Sequence, residues 1–242
     1  MLLEIIAMTA DEAVTASLHG ADRIELISAF DQGGLSPAKD ITIAVVEALK
    51  RLEQSNSTPF PKTTPVHVMV RPHSQSFVYD EADLRDMITY MESVQSLGIH
   101  AFVLGTLRTD GKIDTEALER LLDAAGDHPV TFHRAFDEIA DQEEALSTLM
   151  KYPQIKWLLT SGGKPSVLDA VDQIIRLNEQ SYGHAITIMP GSGISIASLP
   201  AFMAATKSQA IHLGTGVRNG GITAPIDGSL VRTARQILDQ NR

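Results

Sequence analysis

The 242-residue sequence contains no cysteine. Disulfides, cysteine nucleophiles and thiolate metal sites are therefore excluded, and a reducing compartment suits the chain. Positive charge is also scarce: 20 Lys and Arg face 30 Asp and Glu, for a net charge of −10. Phosphate backbones and anionic membranes would be repelled, so neither nucleic acid nor a membrane is an expected partner. A small anion in a local basic pocket stays compatible. No uncharged apolar run approaches the roughly 18 to 20 residues that a membrane span needs. The start, "MLLEIIAMTADEAV", turns acidic at Glu4 and has no basic leader, which points away from a secretory signal. A soluble cytoplasmic protein is the expectation. The chain has no G-x-S-x-G elbow, no H-E-x-x-H and no G-x-x-x-x-G-K-[ST], so three common catalytic signatures are missing too.

What remains is an ordinary globular mixture, 43% hydrophobic and 21% charged, long enough for one large α/β domain. Eight short apolar runs alternate with helical patterns: "LLEIIA" (2–7), "RIELI" (23–27), "VHVMVR" (66–71), "AFVLGT" (101–106), "VTFHRA" (130–135), "KWLLTS" (156–161), "AITIMP" (185–190) and "AIHLGT" (210–215). Segments such as 11–20, 81–98 and 114–126 carry the 3.6-residue apolar period, with Asp80 or Asp114 at a start and Gly20, Gly98 or Gly126 at a stop. The phrases "HGADRIEL", "LGIHAFVL" and "KSQAIHLG" recur at helix-to-strand joints, a weak internal repeat. Eight strand–helix units match a (β/α)8 TIM barrel forming one domain over residues 1–242. A doubly wound sheet fits less well, because the first βα turn, "IAMTADEA", has no glycine. The Ser/Thr/Pro-rich stretch 53–66 is expected as a loop at the bottom of the barrel. A homodimer is compatible with a barrel of this size and not required by it.

Barrel strands send alternate side chains inward, and the outward set must be apolar to pack on the helices. This assigns Leu3, Ile5, Ile24, Leu26, Val66, Val68, Val70, Val130, Phe132, Ile211 and Leu213 outward. The interior then receives Glu4, Glu25, His67, Arg71, His133 and His212, together with Ile6, Ile27, Met69, Thr131 and Gly214. Buried carboxylates need partners, and Arg71 is the expected one. Arg71 and His133 stand at C-terminal strand ends, where barrel active sites gather. His67 lies a layer deeper and is expected in the core. Arg134 has outward parity and is expected to brace the rim through Asp137. The inward Met69 and Met189 are read as filler, and no metal site is expected.

Three late strands end in small-residue turns: "LLTSGGKP", "IMPGSGIS" and "HLGTGVRN". Such turns present backbone N–H groups and allow close approach of an anion. Ser161, Gly162, Gly163, Gly191, Ser192, Gly193, Gly214 and Thr215 are the candidate anion-binding residues, with Lys164 and Arg218 as nearby cations and a helix expected to begin near Ile196.

The motifs "GADRIEL" (20–26), "GGLSP" (33–37), "VMVRP" (68–72), "DGKID" (110–114), "VTFHRAFD" (130–137), "LTSGG" (159–163) and "MPGSGI" (189–194) resemble the CutC family of (β/α)8-barrel proteins over nearly the whole chain. The resemblance implies a role in copper homeostasis. The family's proposed Cu(I) ligands are two cysteines, and Ile6 and Ile27 stand at those positions here. Cu(I) prefers thiolate or thioether donors, so copper would be a cofactor by resemblance only. Two functions from different classes follow. One is a copper-homeostasis protein that handles metal without turnover. The other is an acid–base enzyme acting on a small phosphorylated or carboxylated metabolite. There, Arg71 would clamp the anion, His133 would act as general acid or base, and Glu25 would orient it or share the proton, with Glu4 and His212 in the same chamber. A regulatory binding protein could use the same pocket without chemistry.

Overall fold

Strands and helices alternate without exception along the chain in a computed structural model that describes residues 1–55 and 64–240. The strands are β1 (Leu2–Ala7), β2 (Arg23–Leu26), β3 (Val66–Met69), β4 (Ala101–Leu104), β5 (Val130–Phe132), β6 (Ile155–Thr160), β7 (Thr187–Pro190) and β8 (Ala210–Leu213). The helices are α1 (Ala10–Leu18), α2 (Lys39–Gln54), α3 (Glu81–Val94), α4 (Thr115–Ala125), α5 (Gln142–Leu149), α6 (Val171–Ser181), α7 (Leu199–Thr206) and α8 (Gly228–Gln240). All strand pairs are parallel, in the order β7-β6-β5-β4-β3-β2-β1-β8, and β7 lies beside β8 to bring the ring round. This is the expected (β/α)8 barrel. The Ser/Thr/Pro-rich stretch falls largely in 56–63, outside the described residues. Among the described residues no helix is long and apolar enough to cross a membrane.

The local code for the helices is legible. The Asp80 side chain accepts from the backbone N–H of Asp83, whose own carboxylate accepts from Asp80, a reciprocal cap on α3. Asp114 caps α4 through Ala117. On α4 the buried residues are Ala117, Leu118, Leu121, Leu122 and Ala125, one stripe of a 3.6-residue period facing the sheet.

Alternation along the strands divides the apolar residues into separate cores. Leu3, Ile5, Ile24, Leu26, Val66, Val68, Val130, Phe132, Ile211 and Leu213 join one large cluster between sheet and helices. Ile6, Ile27, Met69 and Val103 form a second cluster inside the barrel, and Leu159, Met189 and Ala210 a third. Parity therefore sorts the side chains as the sequence pattern requires. The strands end earlier than the apolar runs suggest. β5 stops at Phe132, and His133 leads into a 3-10 turn over Arg134–Glu138. The helix after "GSGIS" begins at Leu199 and not near Ile196, because Ser195 and Ser198 first close a turn through their hydroxyls and amides.

Candidate functional site

Register across β8, β1 and β2 sets the deepest polar layer. Glu4 lies opposite His212 on one side and Arg23 on the other. The Arg23 Nε donates to Glu4 Oε2 at 2.5 Å, and His212 Nδ1 lies 2.6 Å from Glu4 Oε1. Both Glu4 and Arg23 are buried. Burial would raise the Glu4 carboxyl, but Arg23 and then His212 outweigh it and hold it at about 2. Glu4 is therefore a permanent anion, satisfied on both oxygens. The expected partner of the interior carboxylates, Arg71, plays no part in this pair; Arg23 does, one layer deeper. Arg23 also points toward Met189 Sδ at 2.9 Å and lies 4.3 Å from the Trp157 ring centre. His67 touches the same layer through Thr131 Oγ1 at 3.3 Å and packs against Trp157, the core position expected of it.

Glu25 is different. Its residue is 2% exposed and its carboxylate makes no hydrogen bond among the described residues. His212 Nε2 lies 3.8 Å from Glu25 Oε2. Burial, with the Glu4 charge adding to it, pushes Glu25 up to about 7, against the pull of His212 and Arg23. Burial would lower His212, but Glu25 and Glu4 outweigh it and raise it. With Nδ1 committed to Glu4, His212 turns Nε2 toward Glu25.

Above this layer a cavity of about 400 Å3 opens at the C-terminal ends of the strands. Its wall includes Glu25, His212, Arg71 and His133, with Ile6, Ile27 and Met69 between them. The Arg71 guanidinium is held by carbonyls, Gln32 O and Gly34 O at 3.3 Å each, and packs 4.4 Å from the Phe77 ring centre. It has no carboxylate within ion-pair distance among the described residues. His133 accepts at Nδ1 from the Ala135 N–H at 3.2 Å, so its proton sits on Nε2, a buried atom with no partner. Burial first, then Arg71, lowers His133 to about 3. At neutral pH this leaves His133 neutral, with its Nε2–H as a donor, while Glu25 faces His212 Nε2 at 3.8 Å. Gly105 makes room for this ring: a Cβ there would sit 2.7 Å from His133 Nδ1.

The glycine turns behave unequally. Ser192, Gly193, Gly214 and Thr215 line the cavity. The turn at Ser161, Gly162 and Gly163 does not, because it is already filled. The Asp137 carboxylate accepts from the N–H groups of Ser161 (2.9 Å) and Gly163 (3.3 Å) and from the hydroxyls of Thr160 (2.5 Å) and Ser161 (2.8 Å). Gly162 N–H is taken by Thr160 Oγ1 and Gly191 N–H by the Thr160 carbonyl. The "FHRAFD" motif thus supplies its own anion to the turn, and Arg134 ties to the same carboxylate at 2.7 Å, as its parity implied. Neither expected cation serves the pocket. Lys164 lines a separate surface cleft, and Arg218 is paired with Glu12.

Glu4, Glu25 and His212 are the one group of three metal-ligating side chains among the described residues whose donor atoms lie within 4.8 Å of one another. They do not fit Cu(I). The donors are two carboxylates and an imidazole with no thiolate, and Glu4 already serves Arg23 and His212. The sequence pattern missed Arg23, Trp157 and Gly105. Arg23 could have been found, since it shares the inward parity of Glu25.

A family model described as CutC family matches residues 1–217. A relative from Xanthomonas campestris pv. campestris, named as a family protein CutC, is 37% identical over 88% of this chain and 82% of its own length. One from Salmonella typhimurium with the same name is 34% identical over 93% of this chain and 88% of its own. A crystal structure from Streptococcus agalactiae bearing the name copper homeostasis protein CutC superposes with a TM-score of 0.78 at 29% identity, covering 92% of this chain and 100% of that one. Phosphoribosyl anthranilate isomerase from Thermotoga maritima, at 12% identity and a TM-score of 0.60 over 99% of both chains, shares the fold alone.

Proposed function

This chain belongs to the CutC family, tied by name to copper homeostasis, and we propose that it acts there by binding a small anion beside a buried proton-exchanging pair. The carrying observation is Arg71. Among the described residues two arginines line the cavity; Arg134 is neutralised by Asp137, while Arg71 is buried and has no carboxylate partner. A buried cation held by carbonyls beside the Tyr79 hydroxyl, with no carboxylate in ion-pair reach among the described residues, favours an anionic ligand, because desolvation makes the missing counter-charge costly. Glu138 also borders the cavity, but it is exposed and screened by solvent.

The Glu25–His212 pair supports the acid–base part. A general base near neutral pH must be poised there, and burial together with Glu4 brings Glu25 to about 7. Glu4 fixes the His212 tautomer, and Arg23 keeps Glu4 charged. Ile6 and Ile27 make the adjacent wall apolar, which disfavours a thiolate-type copper site.

Native mass spectrometry of the protein as purified tests the reading. A small acidic molecule retained by the wild type and lost in Arg71→Ala is the expected result. Equal retention in Arg71→Ala would refute it.

A further inference from the structure

The pocket carries three polar groups that no described residue satisfies. Glu25 Oε1, His133 Nε2 and Arg71 Nε are each buried without a hydrogen-bond partner among the described residues. Their polarities differ. Arg71 Nε and His133 Nε2 carry hydrogen and donate; the Glu25 carboxylate accepts. Arg71 and His133 belong to the mouth, at the ends of β3 and β5, where both approach Phe77. Glu25 belongs to the floor, where it faces His212 Nε2. Between mouth and floor the wall is the apolar cluster of Ile6, Ile27 and Met69, against which Phe30 packs.

Unmet buried groups of opposite polarity at two ends of one cavity describe a ligand in outline. We infer that the pocket takes a short bipolar oxyanion: a phosphate or carboxylate against Arg71 and His133, a brief apolar link over Ile6, Ile27 and Met69, and a hydroxyl or amine donor on Glu25. This rests on the anion-binding reading above and extends it to the ligand's other end. A simple anion would leave Glu25 unmet, and a neutral alcohol would leave Arg71 unmet; each costs the desolvation of a buried group. The donor also lies where the Glu25–His212 pair can take its proton.

Matched probes separate the two levels. Inorganic phosphate, propyl phosphate and hydroxypropyl phosphate form one series, and butyrate with γ-hydroxybutyrate forms the other, each titrated calorimetrically at a pH above the Glu25 value of about 7. The hydroxylated member is expected to bind about tenfold to a hundredfold tighter than its unsubstituted partner, the scale of one hydrogen bond to a charged group. The better series tells phosphate from carboxylate. In Glu25→Leu this preference disappears while propyl phosphate or butyrate still binds. The same variant gains thermal stability, since an unpaired buried carboxylate is removed, and a structural carboxylate would move the melting point the other way. Should Glu25→Leu not fold, Glu25→Gln carries the test through a reduced preference. If the probes bind, depend on Arg71 and show no hydroxyl preference, the bipolar ligand is refuted and anion binding survives. A preference that persists without Glu25 refutes it equally. If no probe binds, or Arg71→Ala binds all of them as wild type does, the anion reading fails and this inference with it.

Discussion

Replacing Arg23 with methionine keeps the length and apolar stem of the side chain and removes the guanidinium alone. In the wild type that group sits 2.5 Å from Glu4, over the Trp157 ring, in a layer closed to solvent. Its removal strands the Glu4 charge. Breaking a buried pair from one side costs about 3–5 kcal/mol. The fall of Glu4 from 4.5 to about 2, in which Arg23 is the largest lowering influence, points the same way. For a chain of this size such a loss lowers the melting temperature by about 6 to 20 °C. The pH dependence distinguishes charge from packing. A carboxyl held below its unfolded value of 4.5 stabilises above that pH, and the contribution is lost as pH falls from 4.5 toward 2. Without Arg23, burial raises Glu4 above 4.5 and the sign reverses, so the variant's deficit is greatest near neutrality and shrinks on acidification. Urea unfolding followed by fluorescence of Trp157, the one tryptophan, measures both. Adding Glu4→Gln, which keeps an acceptor for His212, should restore much of the loss. A deficit that stays constant between about pH 5 and 8, or a double variant weaker than Arg23→Met, would refute the assignment of Arg23 as the counter-charge.

Two further expectations follow from the filled turn and the apolar wall. Asp137→Ala releases the amides of Ser161 and Gly163 and should cost about 2–3 kcal/mol in urea unfolding, the scale of hydrogen bonds to a charged group, with Asp137→Asn intermediate. Ile6→Cys combined with Ile27→Cys places two thiols in one cluster, and anaerobic titration against a chromogenic Cu(I) chelator should show tight uptake by this variant and none by the wild type at that location.

Period and parity were enough for the barrel, because outward residues such as Leu3, Ile24 and Phe132 must be apolar to meet the helices. The same rule put Glu4, Glu25, His67, Arg71, His133 and His212 inside, and all six are buried there. Glycine patterns were less informative. "SGG" and "GSG" look alike in sequence, yet one turn is filled by Asp137, some 24 residues earlier, and the other borders the cavity. A local motif holds no record of which distant side chain reaches it.

Pairing inside the barrel is set by register, which composition and spacing do not encode. Glu4 has His212 and Arg23 as its strand neighbours, so the counter-charge comes from the same layer, while Arg71 lies at the strand ends above it. The consequence is chemical. Had Arg71 neutralised Glu4, as the sequence suggested, the mouth of the pocket would have lost its unpaired cation. Because Arg23 takes that duty, Glu4 is neutralised within its own layer, and Arg71 at the rim has no carboxylate partner among the described residues. A carboxylate paired below and a guanidinium held by carbonyls above are the arrangement on which the proposed anion site rests.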